Sequence, residues 1–233
     1  MIMFCLGCGA ELKKAVSWHS LFAKEEDSVL CHECLEKLEM ITGEVCRLCS
    51  RPIGQNRYQQ DGMCLDCLRW EENEVWSGVL DRNISVLMYN DYCKELIALF
   101  KYRGDYAVAA AFASLLKHKL QTLTYDLIVP VPLSPERLYE RGFNQSEALI
   151  LSLGKEPFHL LSRKHSEKQS KKSRHDRIHL PQVFQLTQQT NLSGKQIVLI
   201  DDIYTTGSTL RHAAVLLKEA GAKTVTSLTV ARG

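Results

Sequence analysis

The chain has 233 residues, of which 45% are apolar, and its 29 Lys and Arg nearly balance its 27 Asp and Glu. This length fits two modest domains better than one, with enough apolar content for a core in the larger. No apolar run is long enough to span a bilayer, and residues 1–6 lack the features of an export signal. We therefore expect a cytoplasmic protein without membrane insertion.

The first third of the chain contains four C-x-x-C pairs. Two residues between cysteines let both thiolates of a tight turn face one tetrahedral ion, and two such turns complete a zinc site with four cysteine ligands. Pairing in chain order predicts two structural zinc ions in a double zinc ribbon over residues 1–70, although an interleaved pairing stays open. Disulfides would need an oxidising compartment, which nothing in the sequence indicates. The expected ligands are Cys5, Cys8, Cys31, Cys34, Cys46, Cys49, Cys64 and Cys67.

Residues 71–82 are polar and rich in acids, and we interpret them as a linker to a second domain over residues 83–233. From there the apolar pattern alternates between strand and helix, which is typical of a parallel α/β sheet. The predicted strands are 84–89, 127–131, 158–161, 183–186, 197–200 and 224–230, and the predicted helices are 91–102, 106–121, 144–153 and 210–220. The remaining cysteine, Cys93, falls in the first of these helices and is interpreted as a small buried hydrophobe.

Positive charge is concentrated in the second domain. Residues 1–80 carry 8 Lys and Arg against 13 Asp and Glu, whereas residues 81–233 carry 21 against 14. A segment at 163–177 is strongly basic and almost free of apolar residues, which predicts a mobile loop that contacts a pyrophosphate or a nucleic-acid backbone, or is simply solvated. A short helix after the prolines at 130–132 would place Arg137 and Arg141 on one face, with an anion or Glu140 between them.

Residues 197–209 combine four apolar residues, two adjacent carboxylates, a hydroxyl-rich turn and the start of a helix. The apolar run predicts a strand buried on both faces, which puts the turn at a strand's carboxyl end, where open α/β sheets bind ligands. Gly207 can adopt a positive φ, and Ser208 or Thr209 would cap the helix and leave N–H groups for a phosphate. Asp201 and Asp202 could accept hydrogen bonds from vicinal hydroxyls. The sequence therefore predicts a sugar-phosphate site.

This run resembles the phosphoribosyl-pyrophosphate (PRPP) motif of type I phosphoribosyltransferases. With it, Pro-Val-Pro at 130–132, Glu-Arg-Gly-Phe-Asn-Gln at 140–145, the run at 99–105 and Val-Ala-Arg at 230–232 resemble the ComF family of competence proteins, and within it the ComFC group. The resemblance covers the whole chain in order, including an N-terminal double zinc ribbon. It implies an α/β fold of the type I phosphoribosyltransferase kind, with a parallel sheet flanked by helices.

The resemblance also implies a function. A protein of this family would act with a ComFA-type DNA helicase, bound through the zinc region, when single-stranded DNA enters the cytoplasm during natural transformation. PRPP or another ribose 5-phosphate, with Mg²⁺, would be held by Asp201, Asp202, Thr205, Thr206, Gly207, Ser208, Thr209, Val131 and Pro132. Purine-salvage phosphoribosyltransferases carry an acid at the position of Thr205, so a base-activating carboxylate is missing here.

Two classes of function remain. The chain is either an active phosphoribosyltransferase that displaces pyrophosphate from PRPP, or a protein that keeps the pocket as a sensor or as a grip on DNA. We favour the second, because no segment predicts an aromatic hood that would recognise a base. The residues expected to contact nucleic acid or pyrophosphate are Lys101, Arg103, Arg137, Arg141, Arg163, Lys168, Lys171, Lys172, Arg174 and Arg177.

Overall fold

The structure is a computed structural model that describes residues 3–12, 29–54, 59–164 and 182–233. Its helices are α1 (His32–Glu36), α2 (Leu65–Glu71), α3 (Asp91–Tyr102), α4 (Val108–Gln121), α5 (Pro135–Arg141), α6 (Gln145–Ser152) and α7 (Ser208–Glu219). Its strands are β1 (Gln59–Gln60), β2 (Met63–Cys64), β3 (Arg82–Met88), β4 (Leu127–Pro130), β5 (Leu161–Arg163), β6 (Phe184–Leu186), β7 (Gln196–Tyr204) and β8 (Thr224–Arg232).

Four strands form a parallel sheet in the order β3–β8–β7–β4, which confirms the predicted α/β class. Because successive side chains of a strand point to opposite faces, β7 contributes to two hydrophobic cores. Val198 and Ile200 pack on the face covered by α3, α4 and α6. Ile197 and Leu199 pack on the face covered by α7. The carboxyl ends of β4 and β7 are neighbours in this sheet, so the loops that follow them meet at one edge.

Most predicted elements of the second domain are observed within a few residues of their expected bounds. Two expectations need correction. The strand predicted at 158–161 and the one at 183–186 are not part of the parallel sheet: β5 and β6 pair with each other as a separate antiparallel hairpin. In addition, β7 continues past its apolar run to Tyr204, so the acidic pair lies inside the strand. The prediction for Cys93 is confirmed, since it is fully buried among apolar neighbours.

The cysteine-rich region packs against both faces of the sheet. Cys5, Leu30 and Cys34 belong to the core that contains α3 and α4. Cys46, Cys49, Cys64 and Cys67 belong to the core beneath α7. Trp76, in the stretch interpreted as a linker, is also buried and lies against His212 of α7 with ring centroids 4.7 Å apart. The division of the chain at residues 71–82 stays a prediction, but the two parts share their cores.

No helix in the described ranges is both long and apolar enough to cross a membrane.

Candidate functional site

The two predicted carboxylates lie near the carboxyl end of β7, where α3 and α6 converge. Asp202 is buried, and its Oδ2 lies 2.7 Å from Nζ of Lys101 in the last turn of α3. Asp201 Oδ1 accepts hydrogen bonds from Ser146 Oγ at 3.3 Å and from the backbone N–H of Asp202 at 2.9 Å. The ammonium group lets two adjacent carboxylates share one small volume, because it offsets part of their mutual repulsion. A bound sugar would therefore meet a carboxylate pair that is already held in place.

Asp201 is perturbed by this environment. Burial raises the pKa of its carboxyl from 3.8 to about 7, and the neighbouring charge of Asp202 acts in the same direction. The charge of Lys101 and the hydrogen bonds from Asp202 and Ser146 oppose the shift. Burial therefore favours the protonated form of Asp201 more than that of an ordinary carboxyl, and the protonated form can donate a hydrogen bond to a ligand hydroxyl.

The turn after β7, which we call the phosphate loop (residues 205–209), has the predicted backbone. Gly207 has a φ of +81° and occupies the cap position immediately before α7. A Cβ there would overlap the Tyr204 hydroxyl and the Arg211 guanidinium. Glycine is therefore required both for the positive φ and for the lack of space. The predicted cap is wrong: Gly207 rather than Ser208 or Thr209 occupies the cap position, and Thr206 Oγ1 accepts the N–H of Ser208 at 3.4 Å. The first N–H groups of α7 therefore lie beside the phosphate loop, and a helix start of this kind is suited to binding an anion.

Two arginines lie behind the phosphate loop, and neither was predicted as a site residue. Arg211 is almost fully buried, donates to the Tyr204 hydroxyl at 2.8 Å and has Glu71 at 3.8 Å. Arg232, at the end of β8, donates to the Thr205 carbonyl at 2.9 Å. The sequence does contain a signal for Arg211, since it is a lone charge on the apolar face of α7. Its partners, however, are distant in the sequence.

The loop after β4 was expected to contact pyrophosphate, and it lies beside β7. The N–H of Val131 donates to the Ile200 carbonyl at 3.1 Å. The Val131 carbonyl in turn accepts from Asn144 Nδ2 at 3.1 Å. Pro132 follows and is half-buried. Backbone and side-chain bonds thus fix this loop against the strand that carries the two acids.

Several of the basic residues predicted to contact nucleic acid or pyrophosphate lie near the carboxyl end of β7. Arg163 in β5 is close enough to Arg137 and Asp201 for their charges to act on it: burial and then the charge of Arg137 lower its pKa, while Asp201 opposes this. Two neighbouring cations of this kind favour an anion between them. Arg103, at the end of α3, is exposed. The predicted contacts Lys168, Lys171, Lys172, Arg174 and Arg177 lie outside the described residues.

An aromatic side chain adjoins this basic group. Tyr102 at the end of α3 is 74% exposed, and the guanidinium of Arg141 lies 5.7 Å from its ring centroid. Arg141 also donates to Gln145 Oε1 at 2.9 Å. Tyr139 on α5 is 92% exposed. Tyr102 is the last residue of α3, and this position carries its ring out of the core.

The cysteines form two clusters in chain order, which resolves the pairing. The first cysteine cluster is Cys5, Cys8, Cys31 and Cys34, and the second is Cys46, Cys49, Cys64 and Cys67; within each, all four sulfur atoms lie within 4.8 Å of one another. Zn–S bonds of about 2.3 Å in a tetrahedron separate the sulfurs by about 3.8 Å. The distances of 3.7 Å from Cys8 to Cys31 and 3.6 Å from Cys49 to Cys64 match this edge.

Backbone N–H groups also point at these sulfurs. Cys5 Sγ accepts from Cys31 N at 3.2 Å, and Cys46 Sγ accepts from Cys64 N at 3.3 Å. Such donors stabilise the thiolate form that binds metal. Each cluster therefore fits one structural zinc ion, which would have all four ligands from the protein and no open position for chemistry.

Comparison with known proteins finds a matching domain and relatives that cover nearly the whole chain. The model of the phosphoribosyl transferase domain matches residues 110–233. The chain is 39% identical to competence protein ComFC of Bacillus subtilis (strain 168), across 99% of this chain and 95% of the relative. It is 35% identical to competence protein ComFC of Streptococcus pneumoniae, across 99% of this chain and 100% of the relative. It is 29% identical to the DNA utilization protein YhgH of Salmonella typhi, across 84% and 93%. The carboxylate pair and the phosphate loop fall inside the matched domain.

Proposed function

Because this chain belongs to the ComFC family of competence proteins and carries a phosphoribosyl transferase domain, we propose that it handles single-stranded DNA during natural transformation. In this proposal a PRPP or ribose 5-phosphate pocket lies at the end of β7, beside a basic and aromatic surface for the strand. The proposal depends on one juxtaposition above all: the Asp201–Asp202 pair lies two residues before the phosphate loop, in which Gly207 caps α7.

The pocket supplies a partner for each part of a ribose 5-phosphate. The carboxylates of Asp201 and Asp202 are suited to the vicinal hydroxyls, and the backbone at Gly207 with the start of α7 is suited to the 5′-phosphate. For PRPP, the loop at Val131 lies near enough to β7 to face a diphosphate, whose charge Arg163 would offset. Mg²⁺ bound together with PRPP would offset the negative charge of the diphosphate.

Replacing Asp202 by Asn tests the pocket. The amide keeps the shape of the side chain but loses the charged acceptor, and a hydrogen bond to a charged group contributes about 1.5 to 3 kcal/mol. We therefore expect PRPP or ribose 5-phosphate to bind about 10-fold to 100-fold more weakly in calorimetry with Mg²⁺ present. Asp126→Asn is the matched control, because Asp126 also pairs with a lysine, Lys195, but precedes β4 and so lies at the amino ends of the strands, away from the carboxylate pair. Equal affinities in the parent and both variants would contradict the pocket.

The surface for DNA is argued from charge and exposure. Residues 81–233 carry 21 Lys and Arg against 14 Asp and Glu. Arg103, Arg137 and Arg163 lie on the side of the sheet that carries the carboxylate pair, near the carboxyl end of β7. Single-stranded DNA binds to such surfaces through phosphate contacts and through stacking of bases on aromatic rings. The exposed ring of Tyr102, with Arg141 beside it, offers such a stacking position.

Fluorescence anisotropy with a labelled oligonucleotide tests this surface across a range of salt concentrations. Arg137→Gln should weaken binding and reduce the slope of log K against log[salt] by about 0.7, the value for one phosphate on a single strand. Tyr102→Ala should weaken binding by about 1 to 3 kcal/mol without changing the slope, because stacking involves no counterion release.

The control for the arginine is Arg82→Gln, since Arg82 is also exposed but starts β3, the edge strand farthest from β4. The same assay on Lys168, Lys171 and Lys172 changed together to Ala addresses the basic segment. An equal loss of DNA affinity in Arg82→Gln and Arg137→Gln would mean that the total charge of the protein, and not this surface, attracts DNA.

We propose that the zinc region is the part of the chain that binds the helicase. Residues 1–80 have an excess of acids, which suits a basic protein partner better than DNA, and Glu33 and Glu36 are exposed on α1. A binding assay between the full chain and a ComFA-type helicase, repeated with both glutamates changed to Lys, checks this. Binding that is unaffected by the reversal would remove α1 from the interface.

An active phosphoribosyltransferase is the alternative. The assay that separates the two is release of pyrophosphate from PRPP and Mg²⁺ in the presence of bases, nucleotides or oligonucleotides. Release that depends on an acceptor and disappears in Asp202→Asn would establish the enzyme, whereas PRPP binding without release would support a pocket that senses or grips its ligand.

A further inference from the structure

Arg232 connects the second cysteine cluster to the phosphate loop. It is 2% exposed, and its Nη2 lies 3.7 Å from Sγ of Cys49. From the other nitrogen, Nη1, it donates to the carbonyls of Tyr204 at 3.2 Å and of Thr205 at 2.9 Å. A guanidinium is suited to this position, because it presents several donors in a fixed plane and its charge offsets that of thiolates. One side chain therefore joins a metal-ligating sulfur to two consecutive peptides of the ligand site.

Trp70 makes a second connection from the same cluster. It belongs to α2, which begins directly after Cys64 and contains Cys67, so two ligands of the cluster fix this helix. Its indole Nε1 donates to the Thr206 carbonyl at 2.9 Å. Its ring also lies 4.7 Å from the guanidinium of Arg211.

These bonds determine which way the loop peptides face. A trans peptide is planar, with its C=O and N–H pointing in opposite directions. Since the carbonyls of Thr205 and Thr206 are turned toward Arg232 and Trp70, the N–H groups of Thr206 and Gly207 in the same peptides are turned away from them. Loop amides held in one direction before a ligand arrives bind an anion more tightly than amides that must be ordered on binding.

We propose that Arg232 and Trp70 are positioning residues through which the second cysteine cluster holds the phosphate loop in its binding conformation. Neither residue needs to touch the ligand. The closed cluster fixes α2 and the segment at Cys49, and the two side chains transmit that order to the peptides of residues 204–207. The inference rests on the proposed ribose-phosphate pocket for its effect on affinity, but the coupling itself is a property of the loop.

Trp70→Phe is the principal test, because it removes one donor and keeps an aromatic ring in the core. Hydrogen exchange measured by mass spectrometry should show the amides of residues 205–209 exchanging about tenfold faster, which corresponds to the loss of one hydrogen bond. The affinity for ribose 5-phosphate should fall by a similar factor, with two zinc ions per chain retained. Trp76→Phe is the matched control, since Trp76 is also 7% exposed and packs on Trp70 and His212.

Arg232→Lys and Arg232→Met form the second arm. The lysine variant keeps a cation and hydrogen-bond donors. It should therefore retain part of the protection of the loop amides from hydrogen exchange, which the methionine variant loses. Equal exchange in the parent, Trp70→Phe and Trp76→Phe would overturn the coupling, as would loss of zinc from Trp70→Phe, because the tryptophan would then support the cluster and not the loop. If the exchange pattern holds but the parent does not bind ribose 5-phosphate, the coupling stands and the proposed pocket is wrong.

Discussion

Changing Cys49 to Ser is expected to unfold the chain, whereas changing Cys8 to Ser should remove one zinc ion and leave the sheet folded. Cys49 is fully buried in the core shared by β7 and α7, but Cys8 is exposed. A structural zinc ion contributes about 10 to 16 kcal/mol of apparent binding energy in small zinc peptides, and a whole domain is stable by only about 5 to 15 kcal/mol. Loss of the second ion therefore removes stability that the rest of this core cannot replace.

Metal analysis and thermal unfolding followed by circular dichroism check this result. The parent should contain two zinc ions per chain, and Cys8→Ser should contain one and retain the unfolding transition of the sheet. Cys49→Ser should show no cooperative transition, or one lowered by tens of degrees. The opposite ranking, or a folded parent without zinc, would show that the two clusters are not structural zinc centres.

The sequence was sufficient for those parts of the site in which neighbours in the chain are neighbours in space. The buried run before Asp201, the turn at Gly207 and the helix after it lie within one strand–turn–helix unit, so periodicity and glycine chemistry predict them. The cysteine pairs are equally local, because each C-x-x-C turn presents its two sulfurs on its own. Only the association of the turns in chain order had to be observed.

The remaining contacts depend on tertiary packing that no local pattern contains. Trp70 and Thr206 are 136 residues apart, and Arg232 and Cys49 are 183 apart. The pairing of Lys101 with Asp202 depends on how α3 crosses the end of β7. Lys101 was expected to contact nucleic acid or pyrophosphate, but in the structure its ammonium group pairs with the acidic pair. The hairpin of β5 and β6 was misassigned to the sheet for the same reason, since a short apolar run does not reveal which strand it joins.

Replacing Gly207 by Ala should strongly weaken the binding of ribose 5-phosphate, because the position has no room for a methyl group. The position has a φ of +81°, where an L-residue loses about 1 to 2 kcal/mol, and the new Cβ would overlap the Tyr204 hydroxyl and the Arg211 guanidinium. To relieve the overlap, the protein must either break the buried hydrogen bond between those two side chains or move the phosphate loop. The first costs about 1.5 to 3 kcal/mol and the second displaces the amides that we propose hold the phosphate.

Gly194→Ala separates the effect of backbone strain from the effect of the overlapping Cβ. Gly194 has a similar φ of +74°, but a Cβ there meets nothing within 4 Å, and the residue lies in the turn before β7 at the other end of the strand. We expect both variants to melt a few degrees below the parent, while only Gly207→Ala loses affinity in calorimetry, by about 100-fold when strain and displacement add. Because the strain is matched, a loss of affinity in both variants would indicate general destabilisation. Unchanged affinity in Gly207→Ala would mean that the ligand does not sit in this turn.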